Sequence, residues 1–142
     1  IVASGLVLLA AMLVFGVIPE PKILLAPVAT LLALLVALGT GVWFAAVSVR
    51  YRDIQQLVPF LVQVLLFATP ILYPSEVVPD SLQTLYAVNP FVGMVEFFRW
   101  TVLPEAPFTA GHLAVTVGFV ALVLPTGLVF YERRQHLFAD VI

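Results

Sequence analysis

Residues 23–49 carry no charge at all, and the runs 57–73 and 106–131 are likewise free of Asp, Glu, Lys and Arg. A helix needs about 20 mainly apolar residues to cross a hydrocarbon layer roughly 30 Å thick. A soluble domain of this size could not hide so much apolar surface. The pattern therefore predicts an all-α integral membrane fold with spanning helices at about 1–18, 23–49, 57–73 and 110–131.

Three unequal connections separate these spans. Pro19-Glu20-Pro21-Lys22 is a tight turn, because two prolines remove backbone donors and bias their preceding residues away from helix. Residues 50–56 form the second connection. The third, 74–109, is cut by prolines at 74, 79, 90, 104 and 107 into pieces too short to span. Asp80 and Gln83 stand at capping-box spacing, which predicts a helix over 81–88 that ends before Asn89-Pro90. Asn89 is itself a good N-cap with Pro90 at the first helical position, so a second helix follows over 90–103.

At 1.5 Å per residue these two helices reach about 12 and 21 Å. Phe91, Val92, Met94, Val95, Phe97, Phe98 and Trp100 are nevertheless too apolar for an exposed loop. The expectation is a re-entrant helical hairpin before the last span, tolerated at membrane depth where protein or a water-filled cavity covers it.

Charge adds an orientation. Arg50, Arg52, Arg133 and Arg134 fall on one side of the expected spans, Lys22 and Arg99 on the other. The excess places the 50–56 loop and the C-terminal tail in the cytoplasm, and the proline turn and hairpin outside. Composition agrees, with 63% hydrophobic and 10% charged residues and a mean hydropathy of +1.15. A net charge of −2 offers no basic surface for nucleic acid. The absence of cysteine excludes disulfide frameworks and Cys-based metal sites. Ile1 lies inside an apolar run, with neither an initiator methionine nor a charged leader and cleavage site, which reads as an N-terminally incomplete piece.

Several groupings invite a chemical reading. Ala29, Ala33, Ala37, Gly41 and Ala45 recur every fourth residue, a small-residue ridge that lets helix backbones approach, either between subunits or within the chain. Glu96 and Arg99, three apart among aromatics, form either a local ion pair or a polar face on a cavity. Phe60, Gln63 and Phe67 share one helix face, with Pro70 expected to bend the helix beyond them. Such a stripe packs against a helix, or stacks on and hydrogen-bonds a sugar chain, and Tyr86, Phe91, Phe98 and Trp100 would continue it outward. His112 and His136 lack a second ligand at metal-binding spacing and take ordinary roles. No phosphate-binding G-x-x-x-x-G-K-[ST] loop and no hydrolase triad is present.

Four strings, in order, resemble the membrane subunit of bacterial ABC exporters for O-antigen, teichoic acid and related polysaccharides. They are Val49-Arg50-Tyr51-Arg52-Asp53-Ile54, Ala68-Thr69-Pro70-Ile71-Leu72-Tyr73-Pro74, Asn89-Pro90-Phe91 followed by Glu96-Phe97-Phe98-Arg99-Trp100, and the terminal Phe138-Ala139-Asp140-Val141-Ile142.

The resemblance implies a permease with six spanning helices, an amphipathic N-terminal helix and two re-entrant gate helices, of which this chain would hold the third to sixth spans. It implies a bacterial cytoplasmic, multi-pass location and a second permease copy completing a channel for a polysaccharide or lipid-linked glycan. Separate ATPase subunits would bind ATP and Mg, with no cofactor and no catalysis in this chain. Arg50, Arg52, Asp53 and Gln55 would then lie near the ATPases, and 89–100 would line the outer gate. The competing readings are an ABC permease for lipids or drugs, a secondary transporter, which would need internal repeats and usually a mid-span carboxylate, and a nontransporting anchor.

Overall fold

The computed structural model describes residues 2–48, 53–71, 73 and 77–138, and among them all regular structure is helical. In chain order the helices are α1 (Val2–Val14), α2 (Ala26–Ser48), α3 (Ile54–Ala68), α4 (Gln83–Val88), α5 (Pro90–Val102) and α6 (Ala110–Phe138). Two 3-10 turns, Pro21–Leu25 and Asp80–Leu82, lead into α2 and α4.

Two stretches are long and apolar enough to cross a membrane: Pro21–Ser48, with mean hydropathy 2.4, and Ala110–Glu132, with 2.3. The other two expected spans are shorter as helices. α1 has 13 residues, because Gly16 adopts φ 68° and closes a Schellman cap, in which Val17 N–H donates to Met12 O and Gly16 N–H to Leu13 O. α3 starts at Ile54 and stops at Ala68, where Thr69 is extended with φ −116° and ψ 142°. Thr69 precedes Pro70, whose ring disfavours helical geometry in the residue before it. Pro70 thus ends the helix that it was expected to bend. At 1.5 Å per residue α1 and α3 reach about 20 and 22 Å, short of the roughly 30 Å of a hydrocarbon core.

Asn89 caps α5, its side chain accepting from Phe91 N–H, and Pro90 takes the first helical position. A 3-10 turn, Asp80–Leu82, stands where the capping-box spacing predicts the helix start, and α4 begins at Gln83. Leu82 is its N-cap, without a side-chain bond, and Leu82 N–H donates to Pro79 O within the 3-10 turn.

The core is made by α2, α5 and α6. α2 and α6 run parallel: Gly39 lies against Leu124, Val42 and Trp43 lie against Gly127, and Trp43 stacks on Phe130 with ring centroids 5.3 Å apart. Their parallel course puts Lys22 and Pro104 at one end, joined by a 2.9 Å hydrogen bond from Lys22 Nζ to Pro104 O. Ser48 and Glu132, which lead to the arginine-bearing loop and tail, therefore sit at the opposite end, in keeping with the charge count.

The small-residue ridge is only partly used in this packing. Ala29 is buried and Ala33 half-buried, but Ala37, Gly41 and Ala45 are exposed, and a Cβ on Gly41 would meet nothing within 4 Å. The buried positions of α2 are Ala29, Val36, Gly39 and Ala46. An i, i+4 row is inclined to the helix axis and leaves a near-parallel partner within a few turns, whereas alternating steps of three and four keep facing it. Gly127→Ala should accordingly lower the melting temperature in detergent, since its Cβ would stand 3.0 Å from Trp43 Cδ1, while Gly41→Ala leaves it unchanged. Equal melting of both variants would remove the close α2–α6 approach from the account.

Candidate functional site

The hairpin α4–α5 is tied both to α6 and to the segment after α3, and its bonds begin at the bottom. α5 runs antiparallel to the first turns of α6, with Pro90 O accepting a 2.6 Å hydrogen bond from Thr116 Oγ1. One turn later the backbone of Gly93 lies directly on that of His112, and any Cβ there would collide with His112 O and with Thr116. Further up, Phe97 meets Phe108 at 6.0 Å. Pro90 therefore sits at the level of Thr116, roughly 9 Å beyond the start of α6 at 1.5 Å per residue. The chain descends through α4, turns at Asn89 and rises through α5.

Two side chains of the hairpin hold the segment that follows α3. Asn89 Nδ2 donates to Ala68 O at 3.0 Å, and Arg99 donates from Nη1 to Tyr73 O at 3.0 Å and from Nη2 to Ile71 O at 3.1 Å. Once Pro70 has broken the helix, these carbonyls have lost their intrahelical partners, and a planar guanidinium can satisfy two at once. Tyr73 closes the turn with its hydroxyl on Phe67 O at 2.8 Å. Thr69 is 1% exposed, and its Oγ1 has no hydrogen-bond partner among the described residues.

Glu96 and Arg99 do not pair with each other. Glu96 is only 4% exposed, and its Oε2 stands 2.7 Å from Nδ1 of His112 on α6. Arg99, three residues on, faces the strap of residues 68–73 instead. His112, which sequence reasoning left in an ordinary role, is thus the partner of the one acidic side chain in the hairpin's apolar stretch. A signal was available: a carboxylate among aromatics demands a partner, and Lys22, Arg99 and His112 were the basic residues on its side of the expected membrane. Tyr86 of α4 is buried and meets the His112 ring edge-on at 5.9 Å. Glu96, His112, Tyr86, Gln83 and Thr109 line a partly open pocket of about 310 Å³ between α4 and the other two helices. Among the described residues no group of three or more His, Asp or Glu could hold a metal ion.

At the upper end Trp100 is engaged within the chain, stacked with Phe97 and tilted on Phe108 at 5.0 Å, with Lys22 Nζ 5.5 Å from its ring centre. Lys22 also pairs with Glu20 at 3.2 Å. The sequence-predicted residues therefore separate into distinct environments. Tyr86, Glu96, Arg99 and Trp100 gather in and around the hairpin, with Phe98 half-buried and Phe91 against Phe119 at 6.1 Å. Phe60, Gln63 and Phe67 are exposed on α3, both phenylalanines by 63%, so among the described residues this stripe is not packed against another helix. Asp53 and Gln55 are exposed at the start of α3, while Arg50, Arg52 and the terminal residues 139–142 lie outside the described residues.

The comparisons with known proteins fit this geometry. The model of the ABC-2 type transporter family matches residues 1–103, which include α1 to α5 and the hairpin's anchors Asn89 and Arg99. The O-antigen export system permease protein RfbA of Myxococcus xanthus is 31% identical over 134 residues, 90% of this chain and 50% of that protein. Its namesake from Klebsiella pneumoniae is 23% identical over 141 residues, covering 96% of this chain and 52% of the relative. The polysialic acid transport protein KpsM of Escherichia coli is 27% identical over 105 residues, 74% of this chain and 41% of KpsM. The chain spans about half the length of the curated relatives it matches. An all-helical architecture with two membrane-length apolar helices, and a family match that runs through the hairpin, make this chain a member of the ABC-2 type transporter family of membrane proteins.

Proposed function

We propose that the chain belongs to a permease subunit that passes a polysaccharide or lipid-linked glycan, of the O-antigen or teichoic acid class, across a bacterial cytoplasmic membrane. The reading assigns energy to ATP and Mg on separate ATPase subunits, docked at the α2–α3 corner near Asp53 and Gln55, and completes the conduit with a second copy of the permease. The observation that carries it is the hairpin itself: two of the strings that resemble polysaccharide permeases meet in it, Asn89 bonding to Ala68 O and Arg99 to Ile71 O and Tyr73 O. The relatives named for O-antigen export and polysialic acid transport support the same class of cargo.

In this reading α4 and α5 are a re-entrant gate. α5 is antiparallel to α6, is too short at 13 residues to cross, and buries Val92, Glu96, Phe97 and Thr101 against protein rather than lipid.

A hydrated polymer crossing about 30 Å of hydrocarbon needs a lined path, and sugar rings offer both hydroxyls and apolar C–H faces. The exposed Phe60, Gln63 and Phe67 provide that mixture on α3. With its ATPase subunits and at matched abundance, Phe67→Ala should reduce polymer export several-fold, whereas Leu122→Ala, equally exposed on α6 at 65%, should not. Export by Phe67→Ala at the parent rate would remove α3 from the conduit.

A further inference from the structure

We propose that the pocket beside the Glu96–His112 pair is a subsite for one neutral, hydroxylated sugar ring of the polymer as it passes the gate. The proposal deepens the export reading above and rests on it for the source of that ring. A buried carboxylate needs a partner, and His112 Nδ1, 2.7 Å from Glu96 Oε2, supplies one. That bond uses one nitrogen of the ring and one oxygen of the carboxyl group. His112 Nε2 and Glu96 Oε1 form no hydrogen bond among the described residues. Neither is sealed in the interior, since Thr69 Oγ1 is the one buried side-chain atom left without a partner among those residues. Both residues line the pocket of about 310 Å³, which gives it two open acceptors on one wall.

An imidazole whose Nδ1–H donates to a carboxylate keeps Nε2 as an acceptor, and the carboxylate holds the ring in place. The pocket therefore selects ligands that bring donors, and Glu96 turns away phosphate and other anions by like charge. The remaining walls include Val78, Ala87 and Pro107, which are apolar. A sugar ring matches both sides of such a pocket: its hydroxyls donate, and its C–H groups lose water against the apolar side chains. An ammonium would bring donors too, but these apolar walls cannot replace the hydration that it gives up. Size agrees with a single ring, since the volume stands at the lower edge of the roughly 300–1,000 Å³ of small-molecule sites. The pocket is open to one side, so the rest of a polymer can continue past it.

The test reads the His112 ring directly. Full-length permease with isotope-labelled histidine, reconstituted with its ATPase subunits in nanodiscs, gives a His112 imidazole resonance that His112→Gln identifies by its loss. Titration with neutral trisaccharides of mannose, galactose, glucose and rhamnose should shift this resonance saturably with at least one of them. Polyethylene glycol of similar length, which has ether oxygens but few donors, should leave it in place, as should inorganic phosphate and ethanolammonium. Ala87→Phe fills the pocket without touching the pair, and should weaken trisaccharide binding roughly tenfold while the unliganded His112 resonance and the melting temperature stay near the parent's. No shift with any trisaccharide, undiminished binding in Ala87→Phe, or a larger shift with phosphate or ethanolammonium would overturn the subsite. Polysaccharide export, measured at matched abundance, should fall several-fold in Ala87→Phe; export at the parent rate with binding lost would overturn the transported polymer as the source of the ring. A parent protein that binds a trisaccharide and exports no polysaccharide would sink the export reading and leave a sugar site standing.

Discussion

Gly93→Ala is expected to undo the docking of the hairpin on α6, since among the described glycines it is the one whose added Cβ meets its neighbours most closely. The Cβ would occupy the space of the His112 carbonyl and Thr116 Oγ1. Neither neighbour can yield cheaply: the first is helix backbone, and the second is held between Pro90 O at 2.6 Å and His112 O at 3.1 Å. Overpacking of a tight interface costs about 1–3 kcal/mol where side chains can shift, and a rigid backbone neighbour places this site at the upper end or beyond. Separation of α5 from α6 would also strand Glu96 away from His112, adding the cost of a buried carboxylate without its partner. The check is the melting temperature and the yield of monodisperse protein in detergent, compared with Gly118→Ala, where nothing lies within 4 Å of the added atom. Indistinguishable behaviour of the two variants would show that the helices do not approach at Gly93.

Arg99→Ala comes next in expected size, and it separates charge from geometry. The guanidinium bridges Ile71 O and Tyr73 O, so its loss frees two carbonyls of the strap that Pro70 has left without helical partners. Hydrogen bonds from a charged donor contribute about 1.5–3 kcal/mol each when sheltered. One of these two is solvent-facing, which lowers the combined effect to about 2 kcal/mol. Arg99→Lys keeps the charge but offers a compact ammonium that cannot span both carbonyls in one plane, so it should recover only part of the loss. Melting temperature and maleimide labelling of Ile71→Cys in each background read the two effects. Full recovery by lysine would mean that position 99 needs a charge and not a fork.

Much of the hairpin was legible before any coordinates. Asn89-Pro90 marks a helix start by two local rules, an N-cap side chain and a proline that gives up no needed donor, and both operate within four residues. The apolar runs determine the long helices because a chain cannot place so many uncharged residues in water. Gly16, three residues before Pro19, was an equally local stop signal for α1 that the apolar run concealed. The partnership of Glu96 with His112 was of another kind. Sixteen residues and a connecting loop separate them, and the i, i+3 spacing pointed to Arg99 as the nearer partner.

The small-residue ridge shows the same boundary. Its four-residue repeat is real, yet only Ala29 and Ala33 face the rest of the chain, because the crossing of α2 on α6 selects positions that alternate by three and four. Sequence alone determined that this protein is helical, that it belongs in a membrane, and where its proline-bounded hairpin starts and turns, since hydropathy, capping and proline geometry act over a few neighbouring residues. Only the tertiary structure decided which small residues become contacts, that Pro70 frees carbonyls for Arg99 to hold, and that the carboxylate of Glu96 finds the imidazole of His112. Those outcomes depend on how rigid helices cross, and a crossing angle is a property of two surfaces together that neither segment encodes by itself.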